Sequence, residues 1–102
     1  MKSEKAIQTE IIKYLRSEMF LVFKINDRFY SGLPDIYCCR IAGEGRLAGE
    51  NRSGVSYWFE VKNEAGKLSP LQSYEIRQIK EHGIFAGVVR SVEDVKHIIR
   101  EV

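Results

Sequence analysis

Periodicity along this chain predicts an α/β domain whose elements run in the order α-β-β-β-α-β-α. Three observations carry that reading. Apolar residues near the N-terminus recur at helical spacing. Short aromatic and β-branched runs follow at strand length. Two serine-led helix starts, Ser69-Pro70 and Ser91 with Asp94, then frame a last such run.

The first helix is expected to open at Ser3, whose hydroxyl suits an N-cap. Glu4 stands in its first turn, where the helix dipole favours negative charge. Ile7, Ile11, Tyr14 and Leu15 fall at i, i+4, i+7 and i+8 and make one apolar stripe, with Glu10 at its edge. Residues 20–25 are aromatic and β-branched and read as a strand. Residues 26–34 form a loop ending in Gly32-Leu33-Pro34. A second strand follows over 35–41, and at its entrance Pro34 needs no ladder donor. Residues 42–54 hold four glycines and several charges and read as a long hairpin connection. The third strand, 55–62, is rich in aromatics, and 63–68 is a polar turn. Ser69 as N-cap and Pro70 at the first helical position start a helix that should run to His82, with Gly83 as its stop. Residues 84–90 are a strand. Ser91 with Asp94 resembles a capping box, Asp replacing Glu, and opens a last helix.

With 102 residues there is room for one domain with one modest core, expected over 1–102. The apolar share of 44% and charged share of 29% are those of a globular protein, which excludes disordered and fibrous classes. No apolar run approaches the roughly 20 residues that span a bilayer, so no membrane association is expected. Residues 1–8 are polar and lack the apolar centre of a signal peptide, so a cytoplasmic location is expected. The net charge of +2 permits nucleic acid without requiring it, because a local patch matters more than the total. Cys38 and Cys39 are adjacent. On a strand they point to opposite faces, and no C-x-x-C spacing or nearby histidine completes a zinc set. They are expected to be small buried side chains in a reducing compartment.

The chemistry is expected where two strand ends meet. Within Phe59-Glu60-Val61-Lys62, side chains alternate. Phe59 and Val61 belong in the core, and Glu60 and Lys62 then lie side by side on the other face. Asp35 begins another strand 25 residues earlier, and the hairpin register should bring it near Glu60. Two such carboxylates repel and raise one pKa. A divalent cation removes that problem, and Mg²⁺ binds through one or two carboxylates with waters and phosphate oxygens. Such a set suits phosphodiester hydrolysis. Lys62 then either orients the attacking water or stabilises the developing negative charge. Gln72 shares a helical face with Ile76 and Ile79, and a polar group there needs a partner, either nearby backbone or the site. Lys24, Arg28 and Ser31 precede the Gly-x-Pro-Asp turn and are candidates for holding phosphates, or plain loop residues. Lys67, near a helix N-terminus, is a weaker DNA-binding candidate. Arg46 and Arg52 in the glycine-rich connection either follow a DNA backbone or are solvated. Trp58 shares the Glu60 face and either packs beneath the site or stacks on a base.

Gly32-Leu33-Pro34-Asp35, then Glu60-Val61-Lys62, then Gly66-Lys67-Leu68-Ser69-Pro70-Leu71-Gln72 resembles the VRR-NUC domain (virus-type replication-repair nuclease), a branch of the PD-(D/E)xK nucleases. The resemblance covers nearly the whole chain. It implies a restriction-endonuclease-like fold, with a mixed central sheet flanked by helices. Asp35 and Glu60 would be metal ligands, Lys62 the water-positioning lysine, and the Val61 carbonyl a further ligand. Glu10 would match the family's acidic residue on the first helix, a ligand or water-holder, and Gln72 its glutamine after the E-x-K strand. The implied cofactor is Mg²⁺, with Mn²⁺ able to substitute. Standalone members that the chain resembles act as homodimers on branched DNA such as four-way junctions. A bacterial or phage-infected cell would be the setting. Candidate dimer surfaces are residues 42–54 and the aromatic strand with Tyr57.

Structure-specific DNA cleavage is thus the expected function. Flap, nick or restriction-type duplex cutting is the alternative within the same chemistry. A non-catalytic DNA-binding or protein-interaction module on the same fold is the alternative outside it, and the intact Asp35, Glu60 and Lys62 argue against it.

Overall fold

A computed structural model of the chain describes residues 1–26, 29–41 and 53–100. The elements are α1 (Glu4–Ser17), β1 (Leu21–Lys24), β2 (Ile36–Ile41), β3 (Gly54–Val61), α2 (Pro70–Glu81), β4 (Phe85–Val89) and α3 (Val92–Arg100), in the expected order. The strands form one mixed sheet in the order β1-β2-β3-β4. The pairs β1–β2 and β2–β3 are antiparallel. The pair β3–β4 is parallel, and α2 is its crossover.

Local chemistry explains the boundaries. The Ser3 side chain accepts from the Ala6 amide and caps α1. The helix ends in a turn that places Met19 at a φ of 67°, with the Phe20 amide reaching back to the Leu15 carbonyl at 3.0 Å. That is a Schellman arrangement built on a methionine where glycine is usual. At α2, Ser69 and Gln72 form a reciprocal capping box, with Pro70 inside the first turn. His82 caps the other end and Gly83, at a φ of 84°, provides the left-handed stop. Ser91 accepts from the Asp94 amide at 3.2 Å as expected. The Asp94 carboxylate bonds the Arg90 amide, one residue before the position a capping box would use.

The sheet has two unlike faces. On one, α1 and α3 bury Ile7, Ile11, Leu15, Val95 and Ile99 against Val22, Ile36, Cys38, Tyr57, Phe59, Val61 and Val89. Tyr57 and Phe59 stack at 5.7 Å, and Phe85 meets both edge-on. The opposite face carries Asp35, Tyr37, Trp58 and Glu60, and α2 lies over its β3–β4 side. Tyr57, expected at a dimer surface, is 2% exposed and belongs to the core, because it shares a strand face with Phe59 and Val61. The other expected surface, residues 42–54, lies outside the described residues except for its end, and so do Arg46 and Arg52. Among the described residues no helix is long and apolar enough to cross a membrane.

Candidate active site

The register of β2 and β3 sets the site. Ile36 pairs with Phe59, so Asp35, one step before β2, stands opposite Glu60 on the same face. Pro34, fully buried, has no amide to donate at this edge. The Asp35 carboxylate instead extends the ladder, its Oδ2 accepting from the Val61 amide at 2.8 Å. A residue's N–H and C=O point to the same side of its strand, so the Val61 carbonyl also faces the Asp35 side. Gly32 holds this entry loop down. Its φ is 89°, and an added Cβ would lie 2.7 Å from Leu71 Cγ and 3.1 Å from Leu71 O. Both backbone and space there demand glycine.

Glu60 is 2% exposed, because α2 covers it from above. Its Oε2 accepts from Gln72 Nε2 at 3.3 Å and lies 3.7 Å from Lys62 Nζ. Its Oε1 is buried without a hydrogen-bond partner. Burial, and then the Asp35 charge within hydrogen-bonding reach, push the Glu60 carboxyl up to about 8, against a smaller opposing pull from Lys62. Lys62 is itself mostly buried. Gln72 meets both of its expected partner types at once, since its Oε1 accepts from the Ser69 amide at 2.9 Å.

The structure therefore brings Asp35, Glu60, Val61, Lys62 and Gln72 together and leaves Glu10 out. Glu10 is exposed and pairs with Lys2 at 2.7 Å, on the wall of a cavity that it shares with Asn63 and Arg90 rather than on the carboxylate pair. The α1 carboxylate that approaches the site is Glu4. Its Oε2 accepts from the Asn63 amide at 3.4 Å, just past the end of β3. A Cβ on Gly66 would sit 2.5 Å from that oxygen and 3.2 Å from Lys62 Cδ, so Gly66 lets the Glu4 carboxylate and the Lys62 stem converge. Arg90 braces this turn by donating to the carbonyls of Asn63 and Gly66. A signal for Glu4 was present: it precedes Ile7 and Ile11 at i, i+3 and i+7, the polar head of the buried stripe.

Lys24, Ser31 and Lys67 are exposed, while Arg28 lies outside the described residues. Trp58 is half-buried, with its ring 4.9 Å from Tyr37. Glu75 on α2, not singled out in the sequence, is buried and accepts from the Tyr30 hydroxyl, whose pKa that charge raises. Cys38 and Cys39 are free thiols. Cys38 is buried, which pushes it up to about 12, and Cys39 is only partly covered.

The residues present fit a hard cation. The buried, unpartnered Glu60 Oε1 beside a second carboxylate is an oxygen site short of a positive charge. Among the described residues no group of three or more His, Cys, Asp or Glu side chains could hold a metal. That donor set suits an ion that keeps water and phosphate ligands rather than an all-protein cage.

No family profile matches the chain, and neither does any curated protein. Solved structures similar to it include two of the same description. One, described as a VRR_NUC domain, is 25% identical with a TM-score of 0.72, over 97% of each chain. The other, a VRR_NUC domain protein, is 18% identical with a TM-score of 0.68, over 97% of this chain and 86% of that one. The mixed sheet with its flanking helices is thus a restriction-endonuclease-like fold. Within that class, the likeness to these two structures supports a VRR-NUC domain, a nuclease type.

Proposed function

We propose that this chain is a Mg²⁺-dependent, structure-specific DNA endonuclease that works as a homodimer on branched DNA such as four-way junctions, with Mn²⁺ able to replace Mg²⁺. The observation that carries the reading is the buried Glu60 Oε1, unpartnered and next to Asp35. Asp35, Glu60 and the Val61 carbonyl would hold the ion. When bound, the ion polarises the phosphoryl oxygen and lowers the pKa of a water.

The chain's own groups do the rest. Lys62, held beside Glu60, places a positive charge where negative charge develops as water adds to phosphorus and the P–O ester bond breaks. Gln72 fixes the Glu60 carboxylate from above. The Asp35 bond to the Val61 amide fixes the other carboxylate, so both acids are oriented before substrate arrives. The test is cleavage of a panel of linear, nicked, flap and four-way DNAs, with Mg²⁺ and with EDTA. Metal-dependent cutting that favours the four-way substrate is expected. Cutting unaffected by EDTA would remove the proposal.

A further inference from the structure

Beside the carboxylates, on the same sheet face, lies a cavity of about 380 Å³ walled by Tyr30, Trp58 and Tyr74, with Glu75 and His82 among its polar groups. Trp58 and Glu60 stand at i and i+2 on β3, so they share a face about 6.8 Å apart. The step from a phosphate to the base it carries is of that size. We propose that this cavity receives an unstacked nucleobase of the substrate, from a nucleotide next to the phosphate held at Asp35 and Glu60. The inference rests on the nuclease reading above and names what that site prefers: an unpaired base at a branch point.

The chemistry of the walls selects a base over a phosphate. Aromatic faces stack on any base. The indole is backed by Tyr37, and the Tyr74 ring has the Arg77 guanidinium 5.9 Å from its centroid. Of the lining polar groups, Glu75 is the buried one and it accepts. Glu75 is 6% exposed, and its carboxylate, already taking the Tyr30 hydroxyl, repels phosphate and accepts from amino or imino N–H groups. His82 Nδ1 lies 2.7 Å from the Gln78 carbonyl, which can only accept, so Nδ1 carries the proton. A base inside a duplex cannot enter without unpairing, which costs least at a branch or mismatch.

Trp58 is the only tryptophan in the chain, so its emission reports on this cavity directly. The full chain is titrated in Ca²⁺ with a short oligodeoxycytidylate and with a strand of equal length made of abasic sugars. Quenching by the cytidine strand and not by the abasic one is expected. Tyr74 is 47% exposed, so Tyr74→Ala should fold, as circular dichroism will check. It should weaken cytidine-strand binding about ten-fold and leave abasic-strand binding unchanged. Equal quenching by both strands, no quenching, or equal weakening of both strands by Tyr74→Ala would overturn the assignment. Cleavage of junction DNA in Mg²⁺ is measured in parallel. Cutting without base-dependent quenching removes the pocket and keeps the nuclease reading. Base-dependent quenching in a protein that cuts nothing does the reverse.

Discussion

Gln72 links the start of α2 to the carboxylate of Glu60. Its Nε2 donates to Glu60 Oε2 at 3.3 Å while its Oε1 accepts from the Ser69 amide at 2.9 Å. One amide thus closes a helix cap and orients an acid on the neighbouring strand. Gln72→Ala should cost about 1 kcal/mol through the cap, a fall in Tm of about 4–8 °C for a domain of this size. It should also lower turnover by about ten-fold or more, since outer partners of metal ligands typically contribute that much. Ser69→Ala breaks the cap alone. A Ser69→Ala protein with the same loss of turnover would show that Gln72 acts only through the helix.

The pairing of Asp35 and Glu60 predicts an unusual pH dependence of stability. Glu60 has its folded pKa raised from 4.5 to about 8 by burial and by Asp35. Between those values the folded protein holds a proton that the unfolded chain has lost. The metal-free protein therefore loses stability as pH rises from about 4.5 to about 8, by on the order of a few kcal/mol. The proton belongs to the pair rather than to one residue. Mg²⁺ binds only the ionised pair, so it should raise Tm more at pH 8 than at pH 5. Melting curves across this range, with and without Mg²⁺, check both claims. Glu60→Gln should flatten the metal-free profile and abolish the Mg²⁺ effect.

Much of this was legible because it is local or periodic. The Ser69-Pro70 helix start, the Gly83 stop and the alternation of Phe59, Glu60, Val61 and Lys62 each follow from neighbouring residues. The opposition of Asp35 and Glu60 follows from strand register. What escaped depends on tertiary placement. Glu10 and Glu4 both sit along the α1 stripe, and only the packing angle of α1 decides which reaches β3. Tyr57 reads as one more aromatic on an aromatic strand until the sheet's two faces are known. The α1 stop carries no glycine, since Met19 takes the left-handed position. Glu75 is buried only because Tyr30 and the Gly32 loop fold over α2.

Substitutions at the carboxylates and the lysine should separate binding from chemistry. Asp35→Asn and Glu60→Gln should each abolish cleavage and leave junction binding nearly intact, because both are proposed to hold metal rather than DNA. Lys62→Ala should lower kcat by about 10²–10³-fold, the usual size for one transition-state charge contact, with little change in the Mg²⁺ concentration needed. Single-turnover rates and gel-shift titrations measure the two separately. A raised KM with normal kcat would mean that Lys62 binds phosphate and does not serve the chemical step.

Glu4 and Glu10 make a direct test of which α1 carboxylate matters. Glu4 bonds the Asn63 amide and crowds the Lys62 stem at Gly66, whereas Glu10 forms an exposed pair with Lys2. Glu4→Gln should reduce cleavage about 10- to 100-fold, as loss of an outer partner does. Glu10→Gln should leave it unchanged, since exposed ion pairs contribute about 0–1 kcal/mol even to stability. Enlarging Gly66 offers a second handle. Gly66→Ala puts a methyl between the two side chains and should impair cleavage without unfolding the sheet. Equal activity in the two glutamine variants would remove Glu4 from the site.

The last prediction is that the working unit is a homodimer making paired cuts in a four-way junction. The described residues bring one carboxylate pair together, with a single Lys62 beside it. Resolving a junction takes one cut in each of two opposed strands. Two such sites in one complex come most simply from two chains, and a two-fold dimer is the commonest closed arrangement. A dimer also doubles the basic surface, which matters for a chain whose net charge is only +2. Binding should weaken steeply with salt, because each phosphate contact releases counterions. Mass in solution at working concentration gives the stoichiometry. Cleavage of a cruciform plasmid by mixtures of wild-type and Asp35→Asn protein gives the coupling, since a mixed dimer has one competent site and should nick where the wild-type dimer linearises. Nicked product should therefore peak at intermediate mixing ratios. A monomer that cuts linear duplex as readily as the junction would sink the idea and promote restriction-type cutting in its place.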